Sequence, residues 1–394
     1  MPLPLIALFV AAFAFGTTEF VIAGILPQVA AGLGVSIPTA GYLVTGYAIG
    51  IALGGPLLTI ATARLSRRTL LVALALAFTA GQVACALAPG YASMLAVRIA
   101  VAVAHGAFFG VAMVVAVSLV SEEKRGMAVA FVLAGLTVSN IVGVPVGAAI
   151  GSIAGWRATF WAMFGLGLVS TAAMILLLPR TGSVQPPAVG LRREVRVLAR
   201  QQVWTSLLVM QMLMIAQYVP FTYLSPFLQE VTGIGPELVP LALLVNGVGC
   251  TLGVFLGGRL AGWRLMPSLI ALLALQSLVL AAMVAFSPYP LPMVAIVFVW
   301  GMINFAIGTP IQTRILTWTA DAPNLASSLI PAGFNVGIAM AATIGAGLLT
   351  AGFGYRSLPV LGIGAVLAGA AVALASWLRE TGSGARPPAS VATL

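Results

Sequence analysis

Twelve long apolar runs dominate the sequence, and each is about as long as a transmembrane helix. A helix needs roughly 20 predominantly apolar residues to cross the hydrocarbon core of a bilayer. Only 7% of the 394 residues are charged and 61% are hydrophobic, whereas about 25% of the residues in a soluble domain are charged. The composition therefore excludes a soluble globule. It predicts an all-α membrane protein embedded in the lipid bilayer, without a sizeable extramembrane domain.

Charged residues, prolines and glycines separate the runs and set the predicted boundaries. Six spans are expected at 4–26, 38–63, 69–88, 93–119, 126–151 and 157–178, and six more at 203–228, 238–262, 266–287, 291–316, 325–350 and 356–378.

The twelve spans are expected to form two bundles of six helices, an N-terminal one at 1–178 and a C-terminal one at 203–378. Between them, 179–202 is rich in proline and arginine, and we expect a cytoplasmic linker with a short basic amphipathic helix. The polar tail 379–394 is expected to be disordered and cytoplasmic.

The basic residues are unevenly divided between the two ends of the predicted spans. Twelve spans put both termini on one side, and fifteen of the 18 basic residues fall on that side. Only Arg157 and Arg356 fall opposite, and Arg98 lies inside a span. The positive-inside rule therefore places both termini in the cytoplasm. Topology also accounts for the net charge of +10, so no nucleic-acid partner is expected.

The two halves of the sequence resemble each other at a nearly constant offset. IALGGPL at 51–57 matches VFLGGRL at 254–260, 203 residues later. Two further pairs of motifs, AG at 134 and 332 and the GWR and GYR triplets at 155 and 354, lie 198 and 199 residues apart. Two six-helix repeats around a midplane cavity are typical of a secondary transporter. The alternative is chance, because glycine and leucine are common in this chain.

The loop between the second and third spans reads TIATARLSRR. It resembles the GxLaDrxGrr signature of the major facilitator superfamily, with Arg67 and Arg68 as the paired arginines and with Thr59 and Ala63 in place of the glycine and aspartate. In that family the loop is a cytoplasmic latch of the outward-open state. The resemblance therefore implies that both arginines act in gating, without the acidic half of the latch. The alternative is that they only anchor the topology.

The fourth and fifth spans carry two further motifs similar to those of this superfamily. Arg98, followed by the pair His105-Gly106, is similar to an RxxxG-type signature whose buried arginine is associated with proton coupling. The string GVPVG at 143–147 is similar to the antiporter signature of the drug-efflux branches, which implies export against protons. Its gating residues would be Gly143, Pro145 and Gly147, where the fifth helix bends and approaches a neighbour closely. A packing kink without bearing on direction is the alternative.

Three strings together resemble the sugar-efflux and chloramphenicol-efflux transporters of the drug:proton antiporter group. They are GTTEF at 16–20, the pair His105-Gly106 and GWR at 155–157. The superfamily resemblance covers roughly 1–380. It implies the twelve-helix major facilitator fold with two pseudo-symmetric bundles, a monomer, and a place in a bacterial inner membrane.

Three ionisable residues, Glu19, Arg98 and His105, lie well inside predicted spans. A charge in such a position costs at least about 2.5 kcal/mol on insertion scales, so each is a candidate for function. Arg98 and His105 are two helical turns apart and project from one face, about 10 Å from each other along the axis. The first and fourth helices of each half line the central cavity of the superfamily, which implies that substrate or water reaches all three.

We expect Glu19 to be the principal proton-coupling group, because a carboxyl group there can change protonation as the cavity opens to either side. A structural carboxyl group packed against the fourth helix is the alternative. His105 is expected to relay the proton or contact substrate, or else to be a satisfied core histidine. Arg98 is expected to form a functional ion pair or to take part in proton coupling, or else to neutralise a helix end.

A site for a polar or amphipathic solute also needs neutral hydrogen-bonding groups among apolar walls. The candidates are Tyr42, Tyr47, Asn140, Gln211, Gln217, Tyr218, Tyr223, Asn246, Asn304 and Asn335, together with Glu19 and His105. The alternative for each neutral residue is a hydrogen bond between helices, to which it is as well suited as to contact with the solute. The C-terminal half has no ionisable residue well inside a predicted span, so we expect protons to be handled in the N-terminal half and solute selection to involve the C-terminal half.

Other mechanisms lack the residues they require. No GxxxxGK[ST] loop is present to bind ATP, and one histidine with two separated cysteines makes a metal site improbable. We expect no enzyme activity and no cofactor. The sequence predicts a proton-coupled exporter of a small solute, such as a drug like chloramphenicol or a sugar. A facilitator or a proton symporter for a small polar metabolite is the alternative.

Overall fold

The structure is a computed structural model that describes residues 2–62, 64–179 and 196–383, with the backbone alone at 196, 323–328 and 383. Eleven helices in this part of the chain are long and apolar enough to cross a membrane. One of them, Val239–Ala285, has 47 residues, a length of about 70 Å that is more than twice the thickness of the bilayer core. Its backbone leaves helical geometry at Arg264 (φ −148°, ψ 88°). It therefore supplies two spans, and the described chain has twelve.

We label the spans α1 to α12 in chain order. They are α1 Leu3–Gly24, α2 Ile37–Ala61, α3 Arg67–Ala86, α4 Tyr91–Ser118, α5 Glu122–Ala154, α6 Trp156–Leu177, α7 Gln201–Thr222, α8 239–263, α9 265–285, α10 Pro290–Trp318, α11 Pro323–Thr350 and α12 Ser357–Ser383. The short helices Leu26–Leu33 and Leu224–Glu230 follow α1 and α7 after a bend. All twelve predicted spans are present, with ends shifted by a few residues.

The two predicted polar segments are described only in part. Helix α12 continues to Ser383, so residues 379–383 are helical where the sequence predicts a disordered tail. The helix continues because the carboxylate of Glu380 is held by Arg314 of α10. Residues 180–195, with most of the predicted basic linker helix, and 384–394 lie outside the described residues.

Helices α2 and α5 each contain one wide turn just before a proline. Gly50–Gly54 and Ser139–Gly143 form π-helical turns that end two residues before Pro56 and Pro145. Proline has no N–H to donate, and its ring clashes with the carbonyl group four residues earlier in a regular helix. A π-turn accommodates the proline and lets the helix continue.

Contacts divide the chain into two compact units. Unit 1 comprises Met1–Val184 and Thr222–Gly247, and unit 2 comprises Gln185–Phe221 and Val248–Leu394. The end of α7 and the first turns of α8 therefore group with the N-terminal helices, although the sequence assigns them to the C-terminal bundle.

Glycines explain why the segment Thr222–Gly247 packs so closely within unit 1. A Cβ atom at Gly41 of α2 would lie 2.1 Å from the hydroxyl oxygen of Tyr223. At Gly247 of α8, a Cβ atom would lie 2.4 Å from the carbonyl oxygen of Asn140 in the π-turn of α5. The helices approach this closely only because neither glycine has a side chain.

In unit 2, glycines on one face of α8 contact the backbone of α10. A Cβ atom at Gly253 would lie 2.1 Å from the carbonyl oxygen of Met302, and one at Gly257 would lie 2.4 Å from that of Ala306. The glycines are four residues apart and so are their neighbours, which places both contacts on one helix–helix seam.

The same seam occurs in unit 1, between α2 and α4. A Cβ atom at Gly50 would lie 2.9 Å from the carbonyl oxygen of Ile99, and one at Gly54 would lie 2.3 Å from the Cγ2 atom of Val103. Each of these four residues precedes its counterpart in unit 2 by 203 positions, which is the offset of the motif pair at 51 and 254. The internal repeat is therefore visible in helix packing as well as in sequence.

Arg314 corrects one expectation about the charged residues. Arg314 is one of the fifteen basic residues that we expected among the loop charges on the side of the termini. Instead, it lies inside α10 and is only 2% exposed. Its guanidinium group donates to Ser206 Oγ (2.9 Å), to Ser376 Oγ (2.8 Å) and to the Glu380 carboxylate. The expectation was wrong because α10 runs past Arg314 and α12 supplies a carboxylate that neutralises it. Arg314 lies within its own predicted span, 291–316, which was the signal for burial.

We expect Arg314→Met to lower the free energy of unfolding by about 2 kcal/mol, because Glu380 then loses its buried cationic partner. Arg125→Met is the control, since Arg125 pairs with Glu122 (2.9 Å) at an exposed site, where such pairs contribute about 1 kcal/mol or less. A thiol-reactive dye that reports exposure of the buried Cys85 and Cys250 gives the thermal midpoint. Equal midpoints for the two variants would contradict the stabilising role of the Arg314 cluster.

Candidate functional site

Helices α1 and α4 bring Glu19 and His105 together inside unit 1. The Nε2 atom of His105 lies 3.9 Å from Oε2 of Glu19, and the two side chains are 4% and 11% exposed, respectively. This distance is too long for a hydrogen bond but within the range of an ion pair. A small movement of either side chain would bring the two groups into hydrogen-bonding contact.

Arg98 joins α4 to both α1 and α2. Its side chain is fully buried, and it donates from Nη1 to the carbonyl oxygen of Thr18 (3.3 Å) and from Nε to that of Leu43 (3.5 Å). Its guanidinium carbon also lies 4.5 Å from the ring centroid of Tyr47. Because Thr18 immediately precedes Glu19, Arg98 fixes the backbone beside the carboxyl group.

His105 has a polar neighbour at each ring nitrogen and aromatic neighbours around the ring. Its Nδ1 atom is 3.0 Å from the hydroxyl oxygen of Tyr47, on the opposite side of the ring from Glu19. The rings of Phe15 and Phe109 lie 5.1 Å away, centroid to centroid. The three ionisable residues predicted from sequence thus share one site, enclosed by aromatic walls.

The antiporter-like string of α5 supports α1 next to this site. A Cβ atom at Gly143 would lie 2.0 Å from Oγ1 of Thr17, and one at Gly147 would lie 2.6 Å from Cγ2 of Val21. The neighbour that the fifth helix approaches at these small residues is therefore α1, two residues to either side of Glu19. Pro145, between the two glycines, is buried.

The paired arginines of the signature loop lie elsewhere in unit 1. Arg68 donates from Nη2 to the carbonyl oxygen of Ile175 (2.7 Å) and from Nε to that of Leu178 (3.0 Å). It thereby satisfies carbonyl groups at the end of α6, a common role for arginine at a helix C-terminus. Arg67 is half-buried, and Ala63 is outside the described residues.

The neutral candidates for solute binding are divided equally between the two units, and most are buried. Tyr42 is 38% exposed, whereas Tyr47 and Tyr223 are 1% and 0% exposed. Asn304 accepts a hydrogen bond from Gln276 (3.0 Å), and Asn335 donates to the carbonyl oxygen of Pro331 (3.1 Å). The remaining five are half-buried or buried. Asn140 donates to the carbonyl oxygen of Leu136 and Gln211 donates to that of Gly333. The other three are Gln217, Tyr218 and Asn246.

Sequence reasoning missed the hydrogen bond between Tyr47 and His105, because the two residues are 58 positions apart. It also missed the contacts of Arg98 with two backbone carbonyl groups. No sequence motif predicts either feature, since both arise where α4 crosses α1 and α2. Chemically, the site can hold a proton on a carboxyl group and place an imidazole beside the carboxylate that forms when the proton leaves.

Comparison with known proteins identifies the family. The family model described as Major Facilitator Superfamily matches residues 8–321. The chain belongs to the Major Facilitator Superfamily.

Two relatives within the superfamily are similar over most of the chain. "Inner membrane transport protein YdhP" of Escherichia coli (strain K12) is 39% identical over 371 residues, which cover 94% of each chain. "Chloramphenicol resistance protein" of Streptomyces lividans is 35% identical over 344 residues, which cover 86% of this chain and 87% of that relative. Both are consistent with the branch that the sequence motifs resemble.

The fold is similar to that of a solved superfamily structure. A bacterial homolog of the human lysosomal transporter Spinster, in an inward-facing and unoccupied conformation, has a TM-score of 0.78 at 17% identity, with 98% of each chain covered. The prediction of an all-α, twelve-helix major facilitator fold is confirmed. The protein is a membrane transporter of small molecules and not an enzyme.

Proposed function

We propose that this transporter exports a small solute in exchange for protons by alternating access, with Glu19 as the proton-carrying group and His105 as the imidazole that faces it. The observation that carries the proposal is the 3.9 Å approach of the Glu19 carboxyl group to the His105 imidazole. Ionisable groups inside membrane spans mark proton and substrate paths in many transporters.

Two further features of the site support a role in proton transfer. The Glu19 side chain keeps 11% of its surface exposed, so a small opening of the cavity would let water reach the carboxyl group. Arg98, held by carbonyl groups of α1 and α2, places a fixed positive charge in the same site. The binding of a proton or of a cation-like solute group would then depend on the state of this one carboxyl group.

One relative supports a neutral amphiphile of the chloramphenicol type as the proposed solute. That relative, at 35% identity, is a chloramphenicol resistance protein. The half-buried ring of Phe109, 5.1 Å from the His105 ring between centroids, provides a wall that suits an aromatic solute. No observation of equal weight favours a sugar, which we treat as an outcome of the test.

The proposed setting is a bacterial inner membrane with both termini in the cytoplasm. The distribution of basic residues supports the cytoplasmic termini, and the name of the Escherichia coli relative, an inner membrane transport protein, supports the inner membrane. We further propose that a monomer acts, that its two six-helix halves at 1–178 and 203–378 alternate, and that the signature arginines and the glycines of α5 influence this movement.

Reconstituted protein tests the coupling directly. We expect proteoliposomes with an internal pH reporter to show proton movement when a gradient of chloramphenicol is applied, and a much smaller response to arabinose or to a cationic dye. Protein-free liposomes correct for passive permeation of the solute. A proton ionophore should abolish the pH signal but not the solute movement.

Each contrary result has a distinct meaning. Solute movement without proton movement would identify a facilitator and contradict the proposal. Proton movement in the same direction as the solute would identify a symporter. A response to arabinose alone would keep the coupling and replace the proposed solute class with sugars.

A further inference from the structure

Tyr47 contacts both Arg98 and His105 within the site. Its ring lies beneath the Arg98 guanidinium group, 4.5 Å from the guanidinium carbon, and its hydroxyl group lies 3.0 Å from Nδ1 of His105. Its side chain is 1% exposed, so it has no room to contact a solute in this structure. The sequence suggested a solute contact, and the geometry points instead to an action through His105.

The direction of the Tyr47–His105 hydrogen bond follows from what each atom can donate. A neutral imidazole carries one proton, on either Nδ1 or Nε2. If Nδ1 carried it and donated to Tyr47, the buried phenol proton would need another acceptor, and His105 is the only described residue recorded as its hydrogen-bond partner. A buried donor without an acceptor is unfavourable. The phenol therefore donates to Nδ1, and the ring proton is on Nε2.

The remaining contacts reinforce this arrangement. Nε2 is the nitrogen that faces Glu19, so the hydroxyl group of Tyr47 decides that a proton, rather than a lone pair, points at the carboxyl group. The Arg98 cation holds the Tyr47 ring in place and draws electron density from it, which makes the phenol a better donor. Arg98 is itself fixed by the carbonyl groups of Thr18 and Leu43.

We propose that Tyr47 is the positioning residue of the site, which holds His105 in the Nε2–H tautomer so that the Nε2 proton faces Glu19 and can stabilise its carboxylate once the Glu19 proton has left. This inference rests on the proposed proton-coupled function only for its consequence in transport. The tautomer itself is a property of the resting protein and can be measured without a substrate.

The chain offers a direct measurement because His105 is its single histidine. Protein labelled with ¹⁵N-histidine, purified without a histidine tag and placed in lipid nanodiscs, gives one pair of imidazole nitrogen signals. We expect wild type to show the neutral Nε2–H tautomer. Tyr47→Phe keeps the ring under Arg98 but lacks the hydroxyl group, so we expect a mixture of tautomers and coupled transport lowered about tenfold.

Tyr289→Phe is the control, because Tyr289 is 57% exposed just before α10, belongs to unit 2 and should leave both readouts at the wild-type level. An Nδ1–H tautomer in wild type would overturn the proposal without any variant, even if Tyr47→Phe failed to fold. An unchanged tautomer in folded Tyr47→Phe would also overturn it. Retained proton coupling in Glu19→Gln would instead defeat the proposed function and leave the tautomer assignment standing.

Discussion

Replacement of Glu19 by glutamine is expected to lower solute-driven proton movement about 100-fold, a typical magnitude for loss of a proton-transferring group. Glutamine has nearly the same shape as glutamic acid, but its amide cannot release a proton. The helix packing around residue 19, through Gly143 and Gly147 of α5, should be unchanged. The measurement is the initial rate of the pH signal in proteoliposomes under a chloramphenicol gradient.

Exchange of labelled for unlabelled solute across the same membrane separates coupling from folding, because exchange needs no net proton movement. We expect Glu19→Gln to retain most of the wild-type exchange rate. Glu123→Gln is the control, since Glu123 is an exposed carboxylate at the start of α5, and it should behave as wild type in both assays. Proton movement at the wild-type rate in Glu19→Gln would mean that Glu19 is a structural carboxyl group.

Replacement of Gly257 by valine is expected to destabilise the protein by roughly 3 kcal/mol, the upper part of the range for overpacking a tight contact. The added Cβ atom would lie 2.4 Å from the carbonyl oxygen of Ala306, and backbone cannot move aside as a flexible side chain can. Helices α8 and α10 would have to separate along their seam. The thermal midpoint, measured through exposure of the buried Cys85 and Cys250, should fall by several degrees.

The adjacent residue supplies the control. Gly258 is exposed, and a Cβ atom there would meet no atom within 4 Å. Gly258→Val should therefore shift the midpoint little, because surface substitutions usually change the free energy of unfolding by about 0.5 kcal/mol or less. If the two variants unfolded at the same temperature, close packing at the α8–α10 seam could not be the reason for glycine at 257.

The length of the apolar runs was sufficient to predict the twelve spans because the bilayer sets that length, whereas the major facilitator fold was implied by the motifs that resemble the family. A span must satisfy its backbone hydrogen bonds internally and must present apolar side chains to lipid. Each helix therefore carries its own signal, independent of its neighbours. The long run from Val239 to Ala285 was divided correctly into two spans at the arginine-containing break, where the structure leaves helical geometry at Arg264.

Charge placement was predicted less well, and Arg314 shows why. The sequence treats an arginine near a helix end as a loop charge, because water or lipid head groups usually solvate it. In the structure, Ser206, Ser376 and Glu380 surround it, and they come from α7 and α12. Because these partners are far from Arg314 in the sequence, the residues around Arg314 show no pattern that predicts the cluster.

The sequence by itself determined the helices, the internal repeat and the presence of three ionisable residues in the first and fourth spans. These follow from the cost of placing polar groups in hydrocarbon, which acts on each residue separately. Only the tertiary structure decided that Glu19 faces His105, that Tyr47 bonds to the opposite ring nitrogen, and that Arg98 fixes the frame around them. Those contacts depend on how closely α1, α2 and α4 cross. Gly50 and Gly54 let α2 approach α4 closely because neither residue has a side chain.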